Sequence, residues 1–207
     1  YPLALDQALR AVDVAADRYP YTCSSTDLDV VFPAWAQEGG RDAVLRRIKD
    51  PADRARIKAD LQSSRAEDYW GTVIIGSTTH PDNRRFRGMP LAGAARELKL
   101  DPADAVLHLV ETDELRTGAF FAGMNEDNMI RILSQPYVML GTDASLRSPT
   151  GLLGQDFPHP RAYGSFPRYL RLVLDGKLVP LPEAIRKITS LPADHFRLKG
   201  RGILAKG

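Results

Sequence analysis

A chain of 207 residues, 43% hydrophobic and 26% charged, is long enough to bury a good core as one domain or to divide into two small ones. A formal net charge of +2 is too small for the basic field of a nucleic-acid or anionic-membrane binder, and no run of 18 apolar residues exists to cross a bilayer. The single cysteine, Cys23, excludes an internal disulfide framework and fits a reducing, cytoplasmic setting.

Along the chain, "LALDQALRA" (3–11) has helical spacing, and "VDVAAD" (12–17) alternates like a strand. "DRYPYTCSST" (17–26) then places Asp17, Tyr19 and Tyr21 at a strand end, where the tyrosines serve either to bond a ligand or to pack. Residues 41–70 are highly charged and helical, with a break expected at Asp50-Pro51. They read as a lid or subdomain, or else as a solvated surface hairpin. "GTVIIGS" (71–77) and "GAFFAG" (118–123) are strand candidates, and "NRRFR" (83–87) is a basic turn. Asn125 is a good N-cap for a helix over 125–135 with Met129, Ile132 and Leu133 on one face. "YVMLGTD" (137–143) is an apolar run of the kind found in strands covered on both faces. "LPEAIRKITS" (181–190) carries Pro182 in its first turn and Ile185 and Ile188 on one side. This alternation predicts a parallel α/β sheet, open or closed into a barrel.

Chemistry concentrates between 137 and 168. Asp143 stands at the end of an apolar strand, where parallel α/β folds collect functional groups. A carboxylate there can ligate a metal or carry a proton, or it can simply cap a turn. Arg161 sits in "HPRAYGSFPR" (159–168), a loop stiffened by Pro158, Pro160 and Pro167. Its guanidinium fork suits capture of a carboxylate, unless it pairs with a structural acid such as Asp156. His159 and Tyr163 flank Arg161 and are read with it as substrate contacts, whereas Arg168 reads as a surface charge of the next helix. Cys23 has no basic neighbour in sequence and reads as a packing residue. His80, His108 and His195 are scattered, and no pair of histidines has metal-site spacing. Nucleotide-binding glycine motifs and the G-x-S-x-G elbow are absent.

Taken in order, "YPYTCSST", "EGGRDAVLRRIKDPADRARIKADL", "MNEDNMIRILSQPYVMLGTDAS", "HPRAYGSFPRYL" and "EAIRKITSLPADHFRLKGRGILAKG" resemble the N-acyl-D-amino-acid deacylases (D-aminoacylases). These are zinc-dependent amidohydrolases built on a (β/α)8 barrel. The resemblance implies a fold that is the C-terminal part of such a TIM-type barrel, about its last three to four strands over 1–207, with a lid-like helical insertion at 27–70. It implies hydrolysis of N-acyl-D-amino acids, with Asp143 as proton carrier and metal ligand. Arg161 would clamp the substrate's α-carboxylate, and Tyr19 would be its partner. Ala144-Ser145 depart from the pattern, since many relatives carry a Gly after this Asp.

The family's His-x-His, metal-binding Cys and two further histidines have no counterpart here. Zinc is therefore expected in a complete enzyme and absent or weak in this chain, which is expected to be inactive alone. The first residues are Tyr-Pro and the last "GRGILAKG", so both ends read as cut from something longer. Open strand edges would then call for a missing half-barrel or a second copy. Two other readings are a non-catalytic carboxylate-binding scaffold and an amidohydrolase acting on cyclic amides.

Overall fold

Among residues 12–206, which the computed structural model describes, the strands are β1 (Ala16–Arg18), β2 (Cys23–Asp27), β3 (Val73–Ser77), β4 (Gly118–Ala122) and β5 (Val138–Leu140). The fold class is α/β, and the chain divides into two units. The helix expected over 3–11 lies outside the described residues. Among the described residues, parallel pairing is confined to β1 and β5. The other three strands form an antiparallel sheet in the order β2-β4-β3. Of the parallel sheet expected from the alternation of strand and helix, the described strands show only the β1–β5 pair, and the other three pair antiparallel instead.

The antiparallel sheet belongs to a unit made of Cys23–Gly123 and Arg147–His159. Two copies of one tetrapeptide, Asp-Pro-Ala-Asp, organise its helices. Helix α1 (Gly40–Lys49) ends at Asp50, whose side chain accepts the backbone N–H groups of Ala52 and Asp53 and so opens α2 (Pro51–Ser64). After α3 (Leu91–Leu98), Asp101 does the same for Ala103 and Asp104 at the start of α4 (Pro102–Thr112). In both cases proline occupies the first turn, where its missing N–H costs nothing. Ile48, Ile57 and Leu61 are wholly buried in one core with Ile75, Leu107 and Leu109. The charged segment 41–70 thus packs its apolar residues into this unit's core and leaves most of its charged ones towards solvent. Asp113, at the end of α4, is also fully buried. Its carboxylate accepts from the N–H groups of Thr79 (3.0 Å) and His80 (2.6 Å), from Asn83 Nδ2 (3.2 Å) and from Thr117 Oγ1 (2.7 Å).

The second unit comprises the described part of Tyr1–Thr22 with Met124–Leu146 and Pro160–Gly207. Its pair aligns Ala16 with Val138, Asp17 with Met139 and Arg18 with Leu140. The strand read at 12–17 therefore begins four residues later and places Asp17 inside it. Helix α5 (Glu126–Leu133) is capped by Asn125, which accepts from Asn128 N–H at 2.9 Å. It is followed by α6 (Arg161–Leu174), α7 (Leu181–Ile188) and α8 (Ser190–His195). Met129, Leu133, Leu140, Tyr169, Leu172, Val173 and Ala184 form the core. Ile132 and Ile185, expected to face inward, are 43% and 42% exposed. The sides that turn inward carry Met129 and Leu133 on α5, and Ala184 and Lys187 on α7.

Candidate functional site

Because β1 and β5 run parallel, their C-terminal ends lie side by side. Tyr19-Pro20-Tyr21 leaves the first and Gly141-Thr142-Asp143 leaves the second. Gly141 N–H still bonds Arg18 O at 3.2 Å, prolonging the pairing by one step. A Cβ at position 141 would stand 2.2 Å from an Asp17 carboxylate oxygen, so only glycine allows this approach. Two residues on, Asp143 takes a left-handed conformation with φ 45° and presents a carboxylate that is 68% exposed.

Arg161, the first residue of α6, meets that carboxylate. Its Nη1 lies 2.8 Å from Asp143 Oδ2, and its side chain is only 11% exposed. The guanidinium also rests 4.9 Å from the centroid of the Tyr19 ring, and Arg18 lies at the same distance from that ring. Three sequence-predicted residues, Asp143, Arg161 and Tyr19, are therefore in mutual contact through the arginine. Asp156, weighed above as the partner of Arg161, is instead held by Arg147 (2.9 Å) and Arg87 (3.5 Å) in the antiparallel-sheet unit.

His159 belongs to that same sheet unit, where it is 6% exposed. Its ring meets Phe120 edge-on at 5.2 Å, and Nε2 lies 3.1 Å from Cys23 O. Tyr163 is in α6 and 51% exposed. Arg168, read as a plain surface charge, is exposed but not idle. Its Nε donates to Pro20 O at 2.6 Å and its guanidinium lies 5.1 Å from the Tyr21 ring centroid. Arg18, which sequence reasoning passed over, donates to Tyr21 O at 3.2 Å. A signal for Arg168 was present in the sequence: Pro160, Gly164 and Arg168 follow one another at four-residue spacing, one face of a helix. Burial raises the Tyr21 hydroxyl above the usual tyrosine range, with Arg168 opposing the rise.

Zinc sites need three or four protein ligands. Among the described residues no three His, Cys, Asp or Glu side chains converge to hold a metal, and Asp143 is engaged by a cation. The described residues by themselves do not assemble such a ligand set. What they do make is an arginine fork, largely shielded from water and backed by an aromatic ring, beside an exposed carboxylate.

No protein-family model matches the chain. It is 34% identical over 205 residues to an N-acyl-D-glutamate deacylase and 41% identical over 204 residues to a D-aminoacylase, both of Alcaligenes xylosoxydans xylosoxydans. Each alignment covers 98% of this chain and 32% of the relative, so the chain spans about a third of their length. The crystal structure of an N-acyl-D-glutamate deacylase from Bordetella bronchiseptica, complexed with zinc and a phosphonate mimic of the tetrahedral intermediate, matches all of this chain. The TM-score is 0.68 with 28% identity, and the match covers 34% of that structure. A D-aminoacylase structure described as defining a novel subset of amidohydrolases gives a TM-score of 0.62 with 29% identity over 97% of this chain and 33% of its own. These relatives are hydrolases that cleave C–N bonds, and this chain belongs to their family, the N-acyl-D-amino-acid deacylases of the amidohydrolase superfamily.

Proposed function

We propose that this chain supplies the substrate anchor and the proton carrier of a metal-dependent N-acyl-D-amino-acid deacylase, as one part of a longer barrel enzyme. The observation that carries the reading is the 2.8 Å pair of Arg161 and Asp143 beside Tyr19, at the shared end of two parallel strands. A carboxylate already occupies the arginine fork. A substrate α-carboxylate entering the site would replace it, since both fit the same guanidinium edge. Asp143, being exposed, is then released from its partner and is available to a reacting water.

In the proposed reaction, water attacks the carbonyl carbon of the amide and gives a proton to Asp143. The C–N bond breaks, and Asp143 returns that proton to the departing nitrogen, leaving a carboxylic acid and a free D-amino acid. Arg161 and Tyr19 hold the α-carboxylate so that only one amide reaches Asp143, and a chiral centre fixed there favours one hand. The metal ligands are assigned to residues outside this chain, and with them the activity, so the chain alone is expected to be inert. The helical segment 27–70 is proposed to serve as a lid-like element of the complete enzyme.

Titration of the purified chain with N-acetyl-D-alanine, N-acetyl-L-alanine and N-acetyl-D-alaninamide tests the anchor. The D-acid should bind at least about tenfold tighter than the amide, which lacks the charged group. Arg161→Gln should abolish that preference. Equal binding of acid and amide sinks the anchor role. Turnover by the chain alone that disappears with a zinc chelator would show that the metal ligands are here after all. Binding of acids of either hand, with no turnover once the chain is joined to the missing part of a relative, would favour a carboxylate-binding scaffold instead.

A further inference from the structure

We infer that Gly164 and Arg168 are positioning residues: together they brace Tyr21 against α6 and thereby set Tyr19 under the Arg161 guanidinium. This rests on the anchor reading above and adds to it the device that gives the anchor its geometry.

Three successive turns of α6 touch the Pro20-Tyr21 segment. Pro160 O, at the start of the helix, accepts the Tyr21 hydroxyl at 3.4 Å. One turn later Gly164 leaves room for that hydroxyl, since a Cβ there would stand 2.2 Å from the Tyr21 oxygen. One turn further, Arg168 donates Nε to Pro20 O at 2.6 Å and lays its guanidinium 5.1 Å from the Tyr21 ring. On the side of β1, Arg18 donates to Tyr21 O at 3.2 Å. Tyr21 is gripped along its whole length, from backbone carbonyl to hydroxyl.

The helix needs this grip. Gly164 and Pro167 both fall within α6, and each weakens the turn around it: glycine by its backbone freedom, proline by removing an N–H donor and crowding the preceding turn. A helix so interrupted is poorly suited to hold Arg161 in place by its own hydrogen bonds. The register between α6 and the Tyr19-Tyr21 segment is set instead by side-chain contacts. Arg161 follows Pro160 directly, and Tyr19 precedes Pro20 directly. Any slip of α6 along Tyr21 therefore carries Arg161 away from the Tyr19 ring, now 4.9 Å from its guanidinium. In an ordinary helix, glycine to alanine raises helix propensity. Here the substitution is expected to harm the site while leaving the helix sound, a result that a purely structural role would not give.

The test uses the 207-residue chain and two readouts. The first, taken without ligand, is the ring-current displacement that Tyr19 imposes on the Arg161 Cδ and Nε protons in NMR spectra. The second is affinity for N-acetyl-D-alanine. Arg168→Gln, at an exposed position, should keep the wild-type melting temperature and reduce the Arg161 displacement to about half or less, with about tenfold weaker binding. Loss of the guanidinium should also move the Tyr21 hydroxyl titration further upward. Arg168→Lys keeps the charge but lacks the Nε donor and the planar stack, and should not restore binding. Gly164→Ala should show the same pair of losses. The brace is overturned if both folded variants, Arg168→Gln and Gly164→Ala, keep the wild-type Arg161 displacement, or lose affinity only in proportion to stability. Should the wild-type chain show the displacement yet take up no N-acetyl-D-alanine, the anchor reading fails, and the brace is judged on the displacement alone.

Discussion

Lys187 is wholly buried, and its amine donates to the carbonyls of Leu133 and Gln135, closing the C-terminal end of α5. Burial holds its pKa down at about 8, against an ordinary value of 10.5, with Glu183 pulling it up and Arg186 pushing it down. Between those two values the unfolded chain binds a proton that the folded chain does not, so stability should rise with pH there. Tyr169 sets the upper limit. Burial, aided by Glu183, raises its hydroxyl from 10.0 to about 12, and the stability this gives is present below pH 10 and lost as the pH climbs towards 12. Urea midpoints of the parallel-strand unit should therefore increase from pH 8 to 10 by the equivalent of about 2 kcal/mol. Lys187→Met should flatten that rise, and should cost about 1–3 kcal/mol overall by stranding two buried carbonyls. A midpoint that falls over this window would mean that the amine is charged and content in its pocket.

The same scale shows how much of the site could be read without coordinates. Asp143 and Arg161 were visible because each breaks a local rule: a charge directly after an apolar run, and a guanidinium among prolines. Their pairing was not, because a sequence gives no distance between position 143 and position 161, and the structural acid weighed for Arg161 was Asp156. His159, read with Arg161 as a substrate contact, lies in the other unit with its ring against Phe120, a placement that its neighbours in the chain do not give.

Among the elements, helix starts were legible and strand partners were not. Asp50-Pro51 announced its own break, and Asp101-Pro102 repeats the same cap and first turn. Strand β2, Cys-Ser-Ser-Thr-Asp, has no apolar face to betray it and is a strand only because β4 lies beside it. Ile132 and Ile185 miss the core because helical spacing in a short segment leaves the angle of the buried face uncertain by a residue. The two caps allow a direct comparison. Asp50→Ala and Asp101→Ala should each cost about 1 kcal/mol from lost capping. Asp101→Ala should cost more, because Lys58 bridges Asp101 (2.6 Å) and Asp104 and ties α2 to the start of α4. Denaturant melts of the two variants check this, and equal losses would show that the exposed bridge adds nothing.

At the scale of the whole molecule, β1 and β5 pair only with each other among the described residues, leaving an outer edge on each. Such edges invite further strands. The chain is expected to self-associate in solution, and to take up less than about a tenth of an equivalent of zinc, given the shortage of converging ligands. Elemental analysis and sedimentation measure both. A monodisperse monomer would count against edge pairing, and one full equivalent of zinc would place ligands in this chain that its described residues do not bring together.

The pairing of β1 with β5 joins segments about 120 residues apart in sequence, which for a flexible chain is a slow encounter. The antiparallel sheet shortens it. Its register sets Cys23 opposite Ala122, and Met124 N–H reaches Thr22 O at 3.1 Å, so the segment from 23 to 123 begins and ends at one point. All twenty residues of its buried core lie between Leu28 and Ala119. All the residues of that core are synthesised before β5, and once it has folded, the loop left to close shrinks to about 20 residues. By the logarithmic cost of closure this saves about 1.6 kcal/mol. An order of folding follows as an expectation: Tyr19 and Asp143, which leave the ends of the last strands to meet, should come together only after the sheet unit has set.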